Sequence, residues 1–178
     1  MDSNVYDLLA GLLVYPTREY GQKVEESWRA LAGIHPEAAG ELADFTDKIQ
    51  GLSLEEQQEL FVRTFDLNPV CVLEVGWHLY GDTYDRGEFL VKMRQEMRRC
   101  GLSGSSELPD HMTHALTVQG RLEREEAERF AATAVLPALE KMLAGLEGKK
   151  SPFEQVLRAI RLVVADCHPR VLDEAKHD

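Results

Sequence analysis

The sequence predicts an all-α fold, a single-domain helical bundle of about eight helices. Three observations carry this expectation. Apolar residues recur at the spacing of one helix face through nearly the whole chain. Helix punctuation falls at the ends of those runs: Ser-x-x-Glu at Ser53 and again at Ser151, Pro at candidate starts, Gly at candidate stops. The one apolar, β-branched run, residues 70–79, has no second strand candidate to pair with, so it is read as helix or irregular packing.

Taken in order, Val5, Leu8, Leu9, Leu12 and Leu13 predict an amphipathic helix over residues 3–14, ended by Tyr15-Pro16. Tyr20, Val24, Trp28 and Leu31 form a second stripe that stops at Gly33. Pro36 opens a third helix with Leu42, Phe45 and Ile49 on one face and Gly51 as its stop. Ser53 and Glu56 form a capping box for a helix carrying Leu60, Phe61, Thr64 and Phe65, which Asp66 to Pro69 break. Gly81-Asp82 is read as the cap of the next helix, with Leu90, Met93, Met97 and Cys100 inward. Gly101 is its C-terminal stop, and Leu102 supplies the closing apolar contact.

After the small-residue loop of residues 101–106 comes Glu107-Leu108-Pro109-Asp110-His111. Pro109 is read as the first helical residue, with the carboxylates of Glu107 and Asp110 favoured by the helix dipole. Met112, Ala115 and Leu116 follow, then a stop at Gly120. Residues 123–146 form a long helical pattern that Pro137 should kink or divide. Ser151-Pro152-Phe153-Glu154 is a second capping box ahead of Val156, Leu157, Ile160, Val163 and Val164. The domain spans residues 1–178, with a polar, mobile tail from His168.

With 178 residues, the chain is long enough for one domain with a substantial core. Its formal net charge of -11 argues against a nucleic-acid partner, and suits a basic one. No apolar run reaches the ~20 residues that span a bilayer. The N-terminus, with Asp2 and Asp7, lacks the basic region of a signal peptide. Three dispersed cysteines describe no disulfide framework and fit a reducing cytoplasm. Cys71 and Cys100 sit among apolar residues and are read as core. Met93 and Met97, beside Leu90, are read the same way.

No enzyme signature is present: no GxSxG, P-loop, GxGxxG or HExxH. His111 and His114 lie three apart, but without a CxxC or a second His pair they do not make a zinc site. Glu107 and Asp110 read as helix-start carboxylates before they read as an acid/base pair. No catalytic residue, metal ligand or cofactor is therefore assigned. Irregular stretches at residues 66–87 and 101–106 are the expected binding surfaces. Trp77, beside His78, is placed at a groove edge.

Three blocks in order carry a family resemblance. They are Phe61-Val62-Arg63-Thr64-Phe65-Asp66; His78-Leu79-Tyr80-Gly81-Asp82 followed by Asp85-Arg86-Gly87; and Glu107 to His111. The chain resembles the molybdoenzyme-specific assembly chaperones, within them the nitrate reductase delta-subunit (NarJ-type) branch, related to the TorD and DmsD chaperones. It departs from the family pattern at Phe61, where Tyr is frequent, and at Asp82, where Glu is more usual. The resemblance covers roughly residues 5–165.

This resemblance implies a cytoplasmic, all-helical chaperone without catalytic activity or a cofactor of its own. It would bind the N-terminal leader, of the twin-arginine kind, on the catalytic (alpha) subunit of a molybdopterin enzyme. It would hold that unfinished subunit while the metal centres enter, in contact with the molybdenum-cofactor insertion machinery. It would serve nitrate assimilation without nucleic-acid binding or membrane insertion. The expected peptide-binding set is Phe61, Phe65, Trp77, Tyr80 and Leu108 for apolar surface and Asp66, Asp82, Glu107 and Asp110 for charge. His78 and Pro109 flank them, and His111 would pair with Asp110 or the peptide and titrate near neutrality. The client stays open between nitrate reductase and relatives acting on selenate, chlorine oxyanions, dimethyl sulfide or hydrocarbons. Two other readings also remain: a small metal- or nucleotide-dependent helical enzyme, and a permanent structural subunit of a membrane reductase.

Overall fold

The computed structural model describes residues 3–169. In chain order the helices are α1 Ser3–Gly11, α2 Tyr20–Ala32, α3 Pro36–Ile49, α4 Leu54–Phe61, α5 Val75–Tyr80, α6 Tyr84–Arg99, α7 Met112–Gln119, α8 Arg124–Phe130, α9 Leu136–Leu146 and α10 Phe153–Cys167. A π turn over Val62–Asp66 extends α4, and a second over Ala131–Val135 joins α8 to α9. The only β feature among the described residues is a single antiparallel bridge between Glu74 and His111. The fold is all-α, as the periodicity predicts. No helix among the described residues is long and apolar enough to cross a membrane.

The central layer is α10 on α3, with α2 against α3, α1 against α2 and α7, and α9 against α10. Every residue predicted to face inward from α10 is buried. Phe153, its first residue, is the hub of an aromatic cluster. Its ring lies 5.2 Å from Phe45, 5.6 Å from Phe61 and 5.1 Å from Phe65, centre to centre. Tilted and edge-on packing of this kind adds to the gain from burying the rings.

The local chemistry explains several helix ends. Ser53 and Glu56 form the reciprocal capping box. At the end of α6, Leu102 N–H reaches Met97 C=O at 2.8 Å and Gly101 N–H reaches Arg98 C=O at 3.1 Å. That is a Schellman closure, and Gly101 supplies its left-handed residue at φ 69°. Pro137 does divide the long helical pattern. The division lies just before it, where Leu136 N–H bonds Ala131 C=O five residues back.

Elsewhere packing overrides the pattern. In α2 the buried position is Ser27, whose hydroxyl donates to Lys23 C=O at 2.9 Å, while Trp28 is 41% exposed. In α6 it is Phe89, not Leu90, that shares the inner face with Met93 and Met97. Gly81 closes α5, and Thr83 stands at the start of α6. The second capping box does not form: Ser151 Oγ lies 2.9 Å from Thr64 Oγ1, and Glu154 turns to Arg158.

His168 is not part of a loose tail. It is fully buried, with Nε2 3.2 Å from Tyr6 Oη and 2.9 Å from Gln119 Nε2. Burial lowers its pKa, so the ring is neutral and accepts at Nε2. Beyond Pro169 the expected tail lies outside the described residues.

Phe153→Ala is expected to lower stability by about 3–5 kcal/mol, because the cluster cannot collapse into the space. Trp28→Ala should change it by no more than about 0.5 kcal/mol. Urea midpoints at constant m-value measure both.

Candidate functional site

The site is best built from Asp110. The backbone from Leu108 to His111 makes a turn, with His111 N–H bonding Leu108 C=O at 3.0 Å. Pro109 holds the second position of that turn and does not begin the helix; both places want its fixed φ. The helix starts at Met112, and its N-cap is His111, whose ring accepts from Thr113 N–H. Asp110 is thereby directed inward. It is fully buried and accepts at Oδ2 from Gly76 N–H at 3.1 Å and from Arg86 Nε at 3.3 Å.

The surrounding backbone is paired to match. Val75 N–H bonds Asp110 C=O at 2.8 Å, and Met112 N–H bonds Leu73 C=O at 2.7 Å. A Cβ on Gly76 would stand 2.7 Å from Asp110 Oδ2 and 2.9 Å from the Phe89 ring, so only glycine fits there. Asp110 therefore cannot offer its charge to a ligand on the surface. It ties the second sequence block, through Arg86, to the third.

Beside this tie lies a cleft of about 750 Å³, lined by its chain neighbours Glu74 and His111. The cleft gathers Phe61 from the end of α4, Phe65 and Asp66 from the first π turn, Glu74 and Leu73 from the irregular segment, and Glu107 and His111 from the third block. Tyr15 adds a half-exposed wall, its ring 5.9 Å from Phe61 and edge-on to it. Three carboxylates, Asp66, Glu74 and Glu107, face this space, and no Lys or Arg is among its lining residues. Partial desolvation, reinforced by the charge of Glu107, holds the Asp66 carboxyl above its ordinary value. Burial does the same to Glu74; Asp110 and Glu107 add repulsion that Arg86 partly offsets.

His111 departs from expectation. Burial, then the neighbouring His114, push its pKa down to about 4, so it is neutral at pH 7. Its Nδ1 lies 2.7 Å from Thr113 Oγ1, and its Nε2 is 4.0 Å from Glu107. It does not pair with Asp110. Both ring nitrogens of His114 are engaged, by Leu108 C=O and Ser105 Oγ. Among the described residues no group of three or more His, Cys, Asp or Glu side chains could hold a metal ion.

The remaining expected residues lie elsewhere. His78 donates from Nε2 to Val72 C=O at 2.7 Å and fixes the irregular segment. Trp77 donates to Pro69 C=O at 3.2 Å and carries the Arg86 guanidinium 5.6 Å from its ring centre. Tyr80 packs on Phe89 and lines a second groove, of about 610 Å³, between α6 and the second π turn. Asp82, Leu108 and Pro109 do not line the cleft.

Sequence reasoning missed Glu74 and Tyr15. Glu74 left a signal, as the one charged residue between Asn68 and Leu79 if histidine is set aside. Tyr15 was legible only as a helix stop.

Asp110→Ala is expected to cost about 3–5 kcal/mol, because it strands Arg86 and the Gly76 N–H. Gly76→Ala should cost about 1–3 kcal/mol through the clash with the same carboxylate. Chemical denaturation of the two single variants and the double variant would show the shared origin as non-additivity.

The sequence model of the nitrate reductase delta subunit family matches residues 30–157 of the chain. The chain is 26% identical, over 182 aligned residues, to the nitrate reductase molybdenum cofactor assembly chaperone NarJ of Escherichia coli K12. That alignment covers 96% of this chain and 76% of the relative. The NarJ protein of Escherichia coli O157:H7 matches with the same figures.

Proposed function

The chain belongs to the nitrate reductase delta subunit family, and from that membership we propose that it is a molybdenum cofactor assembly chaperone for a nitrate reductase or a close relative of that enzyme. It acts in the cytoplasm and catalyses no reaction. Its partner is the catalytic subunit, held through the N-terminal leader until the cofactor has been inserted.

The observation that carries this reading is the cleft, with three carboxylates and no Lys or Arg in its lining. Mutual repulsion among them is only partly offset, by Arg86 at Glu74, so a ligand that brings a Lys or Arg gains more there than on open surface. Tyr15, Phe61 and Phe65 give the apolar face on which one side of a short amphipathic helix can rest. The net charge of -11 draws a basic leader in from a distance. Asp66, Glu74 and Glu107 supply the charge, and Asp110 sets the distance between Glu74 and Glu107. The chemistry is recognition alone: no proton moves and no bond forms.

Calorimetric titration with a synthetic peptide from the start of a nitrate reductase catalytic subunit tests this. Micromolar binding that weakens with added salt is expected. The triple variant Asp66→Asn, Glu74→Gln, Glu107→Gln should bind about tenfold or more weakly without a lower melting temperature. Absence of binding, or binding indifferent to both salt and the variant, would overturn the reading.

The pH dependence has a definite sign. Asp66 and Glu74 hold their protons to higher pH than free carboxyls, and a cationic peptide engages only their ionised forms. Its affinity should therefore rise with pH through a window that lies above the ordinary carboxyl range. The free protein shows the opposite trend from these groups. The native state binds more protons than the unfolded chain, so their contribution to stability falls as pH rises through the same window.

A further inference from the structure

The segment around the first π turn, residues 60–68, presents two faces. Phe61, Phe65 and Asp66 line the acidic cleft; Leu60, Arg63, Thr64, Leu67 and Asn68 line a separate pocket of about 550 Å³. The far wall of that pocket is the turn before α10, with Lys149, Lys150 and Ser151. No Asp or Glu is among its lining residues, in a chain with 31 acids and 20 bases. We propose that this pocket binds the phosphate group of a small phosphorylated molecule, through Arg63, Lys149 and Lys150. The proposal is independent of the leader-binding cleft.

Four features support it. Neither Arg63 nor Lys150 pairs with a carboxylate among the described residues, whereas many other arginines of the chain do. Lys149 is already positioned: its Nζ donates to Asn68 Oδ1 at 3.0 Å, which leaves the Asn68 amide hydrogens free to donate. Lys150 is held at φ 52°, the only described non-glycine residue with positive φ, a conformation a lysine side chain disfavours. The fifteen-residue α10 begins two residues beyond Ser151, so the positive end of its dipole adds to the same field.

The pocket is also braced. Thr64 donates its hydroxyl proton to Leu60 C=O at 2.7 Å, so across the 2.9 Å contact Ser151 must be the donor to Thr64. That bond pins the lysine turn to the π turn across 87 positions of sequence. A guanidinium can meet a phosphate in two parallel bonds, and ammonium groups complete its neutralisation. The leucine walls suit the organic part of such a molecule, and the volume lies within the usual range for small ligands.

Calorimetry on the full chain at low salt, with inorganic pyrophosphate and AMP as probes and adenosine as control, tests the proposal. Saturable binding of both anions and none of adenosine is expected. Arg63→Gln, and separately the double variant Lys149→Gln, Lys150→Gln, should each weaken binding about tenfold. Both should leave the melting temperature unchanged, since these side chains are exposed. The cleft variant Asp66→Asn, Glu74→Gln, Glu107→Gln should bind the anions as the parent does or better, which separates this pocket from the cleft. Failure of either anion to saturate overturns the proposal. So does affinity that the lysine and arginine variants leave intact, or binding of a glutamate-rich peptide in place of the phosphorylated probes.

Discussion

The buried carboxylate of Asp110 is the interaction on which the rest of the candidate site depends. Three segments far apart in sequence meet at one oxygen: the turn before α7, the N–H of Gly76 in α5, and Arg86 of α6. Burying a charge is unfavourable unless it is paired and hydrogen-bonded. Here both conditions hold at Oδ2, while Oδ1 has no partner. The arrangement is thus specific more than strong. It admits one register between residues 73–75 and 110–112, and that register sets Glu74 and Glu107 on the same cleft. An apolar residue at 110 could fill the volume without enforcing the alignment.

The first π turn plays the complementary part. In an α-helix, Phe61 and Phe65 would continue one stripe, and the next donor would close the ladder four residues back. Instead Leu67 N–H reaches Val62 C=O at 2.9 Å, five residues back. The extra residue lets one short segment serve the aromatic cluster, the acidic cleft and the basic pocket together. Single π turns inside α-helices are frequent at functional positions.

Much of the fold was legible in the sequence, and what was not has physical reasons. Periodicity placed the helices, and local chemistry placed the Ser53 box and the Gly101 closure, since both are decided within six residues. The same chemistry misled at Ser151, where the hydroxyl found Thr64 in another element. It misled again at Pro109, because the first turn of a helix and the second place of a β-turn ask the same φ of proline. The π turns leave no trace in apolar spacing. In the candidate site, Phe61, Phe65, Asp66, Glu107 and His111 were named in advance, yet their grouping with Glu74 and Tyr15 is tertiary. A pattern within one chain segment cannot report which segments converge. Asp110 illustrates the limit: its motif was visible, but an exposed acid and a buried one look the same in a sequence.

The Tyr6–His168 contact joins residues 162 positions apart, and α1 also packs on α7 from mid-chain. During synthesis the first helix leaves the ribosome long before either partner exists. Leu9 within it and Leu12 and Leu13 just beyond it, all fully buried in the finished protein, gain their full cover only once α7 has been made. The end of α10 then closes on the first helix through His168, 162 positions after Tyr6. The unfinished polypeptide therefore passes through a stage in which its own greasy first helix has only α2 for cover.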